Sequence, residues 1–207
     1  MEYCSKNWKT VIYVLGNHEF YVGRDKINKH NPRTKNGINI EEMVAKYKYV
    51  LRIYPNVYCL ENECIDVGEY RIYGTTLWTK HNHNNLNDSK FIEKEHIDYW
   101  SDNEKELLRW HLAETIKNTI VVTHFPVIQK DTSHPKFNDS ELRDYFTWDN
   151  LLSDLPRDNL VACIAGHTHY SFDFVQDGVR MISNQFGYMD ELKKGETRFK
   201  QDGLYTI

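Results

Sequence analysis

The sequence predicts an α/β fold, and three short runs carry that prediction. Residues 11–15 (VIYVL), 119–123 (TIVVT) and 160–165 (LVACIA) are apolar and rich in β-branched side chains. Such runs read as strands buried on both faces of a sheet. Each of the three stops at a polar cluster that contains histidine, and segments of helical spacing separate them.

The remaining elements follow in chain order. Residues 40–52 have helical spacing and close before Pro55. Residues 101–116 predict a second helix. Ser101, followed three positions later by Glu104, forms a capping-box pattern, and Leu107, Leu108, His111, Leu112 and Thr115 fall along one face. A shorter helix is expected over 148–155, ended by Pro156. Additional strands are expected at 56–60, 64–67, 70–75, 180–183 and 204–207, with Glu61-Asn62-Glu63 and Gly68-Glu69 as turns. The Asn-rich stretch 81–89 and the segment 130–139 read as surface excursions.

Composition narrows the class. A chain of 207 residues suits a single domain over 1–207. The formal charge of -4 and the lack of a basic run argue against a duplex nucleic-acid partner, whose phosphates need a Lys/Arg footprint. The four cysteines form no C-x-x-C pair, so they read as reduced thiols. No stretch is long and apolar enough to cross a bilayer, and residues 1–8 have no apolar signal region. The expected location is cytoplasmic, with no membrane partner.

The chemistry concentrates at the strand ends. Gly16-Asn17-His18-Glu19, Thr123-His124-Phe125-Pro126 and Gly166-His167-Thr168-His169 hold four of the ten histidines. One such histidine alone reads as a packed or surface residue. Three clusters at three strand ends, two opened by glycine, point to a shared site. Imidazole nitrogens with an amide oxygen suit a zinc-, manganese- or iron-type divalent cation. Such a cation beside a phosphate lowers the pKa of water and neutralises charge. A histidine near the leaving oxygen can act as general acid.

With these motifs in this order, the sequence resembles the calcineurin-like metallophosphoesterase family. Gly74-Thr75-Thr76-Leu77-Trp78 and Ser183-Asn184-Gln185-Phe186-Gly187-Tyr188 resemble a bacterial-type branch of it. The resemblance implies a β-sandwich flanked by helices and two divalent metal ions. It implies hydrolysis of a phosphate monoester or diester by metal-activated hydroxide. Asn17, His124 and His167 match ligands of the second metal, and His169 matches a ligand of the first. His18 matches the general acid, and Glu19 the acidic neighbour that orients it.

The resemblance also has a gap. The family opens with Asp-x-His and then Gly-Asp, and neither motif occurs before residue 11. Residues 11–15 and a neighbouring strand are then expected to present open apolar edges that invite a covering partner chain. Three origins stay open: an incomplete gene model, a natural truncation, or an inactive homologue. The rival reading is a binding or interaction protein on the same scaffold. Among other candidates, His81, His83 and His134 read as loop residues, and Trp78, Trp100, Trp110 and Trp148 as packing anchors. Tyr188 reads equally as a cover over the site or as packing, and Glu93, Glu95 and Asp98 as a solvated face.

Overall fold

The computed structural model describes residues 1–21, 40–80, 86–92 and 94–207. The helices are α1 (Glu2–Asn7), α2 (Ile40–Leu51), α3 (Lys94–Glu114), α4 (Arg143–Phe146) and α5 (Met189–Lys193). The strands are β1 (Val11–Val14), β2 (Val57–Leu60), β3 (Glu63–Val67), β4 (Tyr70–Thr75), β5 (Thr119–Thr123), β6 (Leu160–Ala165), β7 (Phe172–Gln176) and β8 (Val179–Ser183). Among the described residues they form two sheets: a parallel pair β1-β2, and a six-stranded sheet in the order β3-β4-β5-β6-β8-β7. The fold is therefore α/β, with two sheets face to face and helices outside them.

Strand alternation builds the layers. Ile72, Ile120, Ala162 and Ile182 of the large sheet face Leu60 of β2, with Ile12 of β1 against the same cluster. The opposite pleats, Tyr73, Val121, Cys163 and Met181, face Leu108 and Leu112 of α3 and the one-turn helix Leu151–Asp154. On the outer side of the small sheet, Val57 and Cys59 meet Ile40 and Leu51 of α2. The two sheets touch most closely at Gly74, where a Cβ would lie 2.5 Å from the Leu60 Cβ and 3.1 Å from a Val14 methyl. Only glycine permits that approach.

Register then sets which chain ends meet. Thr75 pairs with Thr123, and Thr123 pairs with Ala165, so β4, β5 and β6 end at one edge. Val14 pairs with Leu60 beside Gly74, which brings the end of β1 to the same edge. Ligand sites of open parallel sheets lie at such carboxyl ends.

Several elements depart from the sequence expectation. Residues 11–14 are half-buried rather than enclosed, because β1 sits in its own two-stranded sheet with β2 as its partner. The helix expected from 101 begins at Lys94. Ser101 and Glu104 do not cap it. Both are buried mid-helix, because Glu104 has a tertiary acceptor role described below. Residues 148–155 form only the one-turn helix, and 204–207 form no strand. The sequence reading missed β7, although Asp177-Gly178 takes left-handed φ values of 51° and 82°, as a tight hairpin turn requires. All four cysteines are free thiols. Trp78 is fully buried, but Trp110 is 65% exposed and anchors no core.

Two carboxyls are enclosed behind the loop that follows β4. Glu61 Oε1 accepts the Thr76 N–H at 3.0 Å, and Glu104 Oε2 accepts the Trp78 N–H at 2.8 Å. Burial, and then the Glu61 charge, push Glu104 well above the usual carboxylate range, so that Glu104 holds the proton of the pair. Two carboxylates this close cannot both ionise cheaply. Because the folded-state value is raised, the stabilisation is complete below about pH 4.5 and is lost as pH rises through the folded-state value. Glu104→Gln keeps an acceptor for Trp78 and a donor for Glu61 without a titrating group. It should gain about 1–2 kcal/mol over wild type at alkaline pH and little in acid, read from urea midpoints. An equal pH dependence in both proteins would exclude a shared proton.

Candidate metal centre

A run of backbone contacts ties the strand ends together. The Thr76 hydroxyl lies 3.0 Å from the Leu15 carbonyl, the His124 and Phe125 amides donate to the Thr76 carbonyl at 3.3 and 3.2 Å, and the Gly166 amide donates to the His124 carbonyl at 3.0 Å. The loops after β1, β4, β5 and β6 are thus held in contact. A Cβ at Gly16 would lie 2.7 Å from the His124 ring, so glycine is needed for the β1 loop to cross beneath that imidazole.

After Gly16 the chain makes a one-turn 3-10 helix, Asn17–Phe20. Glu19 closes it: its carboxylate accepts the Gly16 N–H at 2.9 Å and the Tyr13 hydroxyl at 3.1 Å. Glu19 therefore presents Asn17 and His18 by fixing their backbone. His18 itself lies against the Tyr21 ring, centroids 4.6 Å apart.

Asn17, His124 and His167 converge. Asn17 Oδ1 lies 2.9 Å from His124 Nε2, and His167 Nδ1 lies 3.0 Å from the same nitrogen. Two ligands about 2.1 Å from one cation and at right angles to each other are about 3 Å apart, so the spacing fits a shared ion. The protonation pattern agrees. Desolvation at the crowded cleft floor lowers His124 to about 3, with His18 and His169 lowering it further and Asp88 opposing. Desolvation and the neighbouring His124 push His167 well down too. Both rings are neutral near pH 7, and one proton on the contact nitrogens cannot serve every pair. A cation would satisfy all three lone pairs. Among the described residues no group of three or more His, Cys, Asp and Glu side chains is arranged for a metal; the converging trio has an amide as its third member.

His169 stands beside this trio with its own support. Its Nδ1 is 2.8 Å from Glu191 Oε2, its backbone N–H donates to Gln185 Oε1 at 2.7 Å, and Tyr188 packs edge-on at 4.6 Å. A carboxylate behind one imidazole nitrogen fixes the ring and leaves the other nitrogen for a ligand role. Gly187, with φ +66°, makes room: a Cβ there would sit 2.8 Å from Glu191 Oε2.

A sequence model described as calcineurin-like phosphoesterase matches residues 1–171. The chain belongs to the calcineurin-like phosphoesterase family. Hydrolysis of phosphate esters with divalent metals is the general chemistry of that family. An uncharacterized protein of Acanthamoeba polyphaga mimivirus is 26% identical, over 87% of this chain and 69% of that protein. The crystal structure of the phosphopantetheinyl hydrolase of Mycobacterium tuberculosis superposes with a TM-score of 0.63 at 19% identity, covering 91% of this chain and 73% of that one. At that identity the likeness concerns the fold, and it agrees with the metallophosphoesterase sandwich described above.

The candidate site contains residues that sequence reasoning missed. Asp88, expected in a surface excursion, is only 6% exposed and accepts the Asn17 Nδ2–H at 2.9 Å. The Tyr21 hydroxyl donates to the same carboxylate. Glu191 and Gln185, the partners of His169, were also unforeseen as site residues. The signal for Asp88 was available: Leu86 and Ile92 around it are apolar, and both are buried. His81 and His83 lie outside the described residues, as does Glu93. His134 caps a turn through the Lys136 N–H and packs against Tyr170. Glu95 is exposed, and Asp98 pairs with Lys94, as a solvated face should.

All six anticipated site residues line one cleft of about 720 Å³. Its rim is apolar: Phe137, Leu142, Phe146, Phe186 and Tyr188 are each at least 37% exposed and line the cleft, and Phe146 stacks on His167 at 5.1 Å. Neutral rings at the floor predict a simple observation. In the chain freed of metal by a chelator, the His124 and His167 ring proton shifts should stay constant from about pH 8 to about pH 5, where an ordinary histidine titrates. An NMR midpoint near 6.5 for either ring would refute the buried, neutral assignment.

Proposed function

We propose that the chain binds a divalent cation through Asn17, His124 and His167, that His169 serves a second, and that the site hydrolyses a phosphate ester with His18 as general acid. The convergence of three lone-pair donors within 3.0 Å carries this reading. Charge supports it. The cleft is lined by the carboxylates of Glu19, Asp88 and Glu191 and by one guanidinium, that of Arg143, among the described residues. That guanidinium is occupied by the Gln129 and Asn138 carbonyls. A phosphate would meet net negative charge there without a bound cation.

When bound, the metal supplies charge neutralisation and a water of lowered pKa. The chain's residues do the rest. Asn17 and the two neutral imidazoles hold lone pairs inward without competing protons. His18, next in sequence to Asn17 and resting on Tyr21, would give a proton to the leaving oxygen. The exposed apolar rim favours an ester whose organic part is flat and apolar.

One observation favours the non-catalytic alternative: the converging trio is uncharged, so its hold on a dication is weaker than that of a carboxylate-containing set. Two measurements separate the readings. The chain with added Mn²⁺ should hydrolyse 4-nitrophenyl phosphate or its bis-ester, and His18→Ala should lose about 10²–10⁴-fold in kcat while elemental analysis finds its metal content unchanged. Full turnover in His18→Ala would remove the general-acid role. Absence of both metal and turnover in wild type would leave the binding-protein reading. For the rim, Phe146→Ala should reduce the preference for aryl over alkyl phosphates in kcat/KM, and an unchanged ratio would count against an apolar substrate group.

A further inference from the structure

We propose that Asp88 is the positioning residue of the metal centre. It orients the Asn17 amide, and with Tyr21 and Phe91 it holds Asn17 and His18 as one unit. This inference rests on the cation-binding reading above.

An asparagine amide can present either oxygen or nitrogen, and only oxygen is a useful ligand. At Asn17 the choice is enforced from behind. Nδ2 donates to Asp88 Oδ1 at 2.9 Å and to the Tyr21 hydroxyl at 3.1 Å. With both acceptors on the nitrogen side, Oδ1 must face His124 Nε2 and His167 Nδ1. A charged acceptor also polarises the amide, which raises the electron density on Oδ1. The same logic places Glu191 behind His169. The converging trio thus gains anionic character without a carboxylate among its own members.

The segment around Asp88 also reaches the general acid. Phe91 stacks flat on Tyr21, with centroids 4.2 Å apart and planes at 13°, and the Tyr21 ring also packs against the His18 ring at 4.6 Å. Tyr21 follows the turn Asn17–Phe20 directly. Asp88 therefore takes hold of that turn twice, through the amide of Asn17 and through the hydroxyl of Tyr21. The Tyr21 hydroxyl thus accepts from Asn17 and donates to Asp88, closing a ring of three side chains. The turn Asp88–Lys90 is closed by backbone bonds from Lys90 to Asn87 and from Phe91 and Ile92 to Asp88. This keeps the carboxylate and the Phe91 ring in fixed relation.

The test uses the full chain and Co²⁺ alone, followed by isothermal titration and by the visible absorption of the bound ion. Asp88→Ala and Asp88→Asn should each bind Co²⁺ about 10–100-fold more weakly than wild type, with a changed cobalt spectrum. Tyr21→Phe keeps the ring stack and removes one hydroxyl. It should weaken Co²⁺ binding several-fold at an unchanged Tm, so it remains informative even if Asp88→Ala fails to fold. Variants that bind Co²⁺ as tightly as wild type with the same spectrum would overturn the positioning role and leave the metal centre standing. If wild type binds no Co²⁺, the cation-binding reading fails and this inference falls with it.

Discussion

The site depends on the lacing of strand ends through Thr76. Its carbonyl receives the amides of His124 and Phe125, its hydroxyl reaches the Leu15 carbonyl, and its amide and hydroxyl both contact Glu61. Buried backbone groups must be paired, and here the pairing is between loops rather than along strands. The consequence is positional. Four loops from two sheets meet at one edge, and His124 enters that edge directly from β5. Gly74 allows the sheets to approach closely enough for the lacing to close.

Behind the converging ligands the charges are set one step back. Asp88 stands behind Asn17, Glu191 behind His169, and Glu19 behind the backbone of the turn that carries Asn17 and His18. Neutral atoms converge on one point, and carboxylates that also line the cleft brace them from behind. Around this centre the exposed surface changes character. Phe137, Phe146, Phe186 and Tyr188 line the mouth, so a polar floor is entered through an apolar collar.

Much of this architecture was legible because the signal was local. Parallel strands announce themselves as continuous apolar runs: β5 and β6 are enclosed as such runs suggest, and β1 forms at the expected place but is only half-buried. The site histidines were legible because each follows such a run. What was hidden depends on distant partners. Ser101 and Glu104 have the local pattern of a helix cap, but Glu104 is claimed by Trp78 and Glu61 across the core. Asp88 sits in a polar, Asn-rich stretch that looks solvated; its apolar neighbours hint at burial, but its partner Asn17 lies 71 positions away and only the fold brings the two together. Glu191 and Gln185 likewise act on a loop that lies well before them in sequence.

His167 and His169 both have left-handed backbones, with φ of 68° and 56°. For residues with a Cβ that conformation costs roughly 1–2 kcal/mol apiece, and Gln185 offsets part of it by bracing Thr168, His169 and Tyr170. The loop between β6 and β7 is therefore a sprung turn that aims both imidazoles before any ligand arrives. Asparagine, which tolerates this conformation best among residues that carry a donor atom, is the natural exchange partner for histidine at either position. Such an exchange would trade a ring nitrogen for an amide oxygen at low backbone cost, without rebuilding the turn.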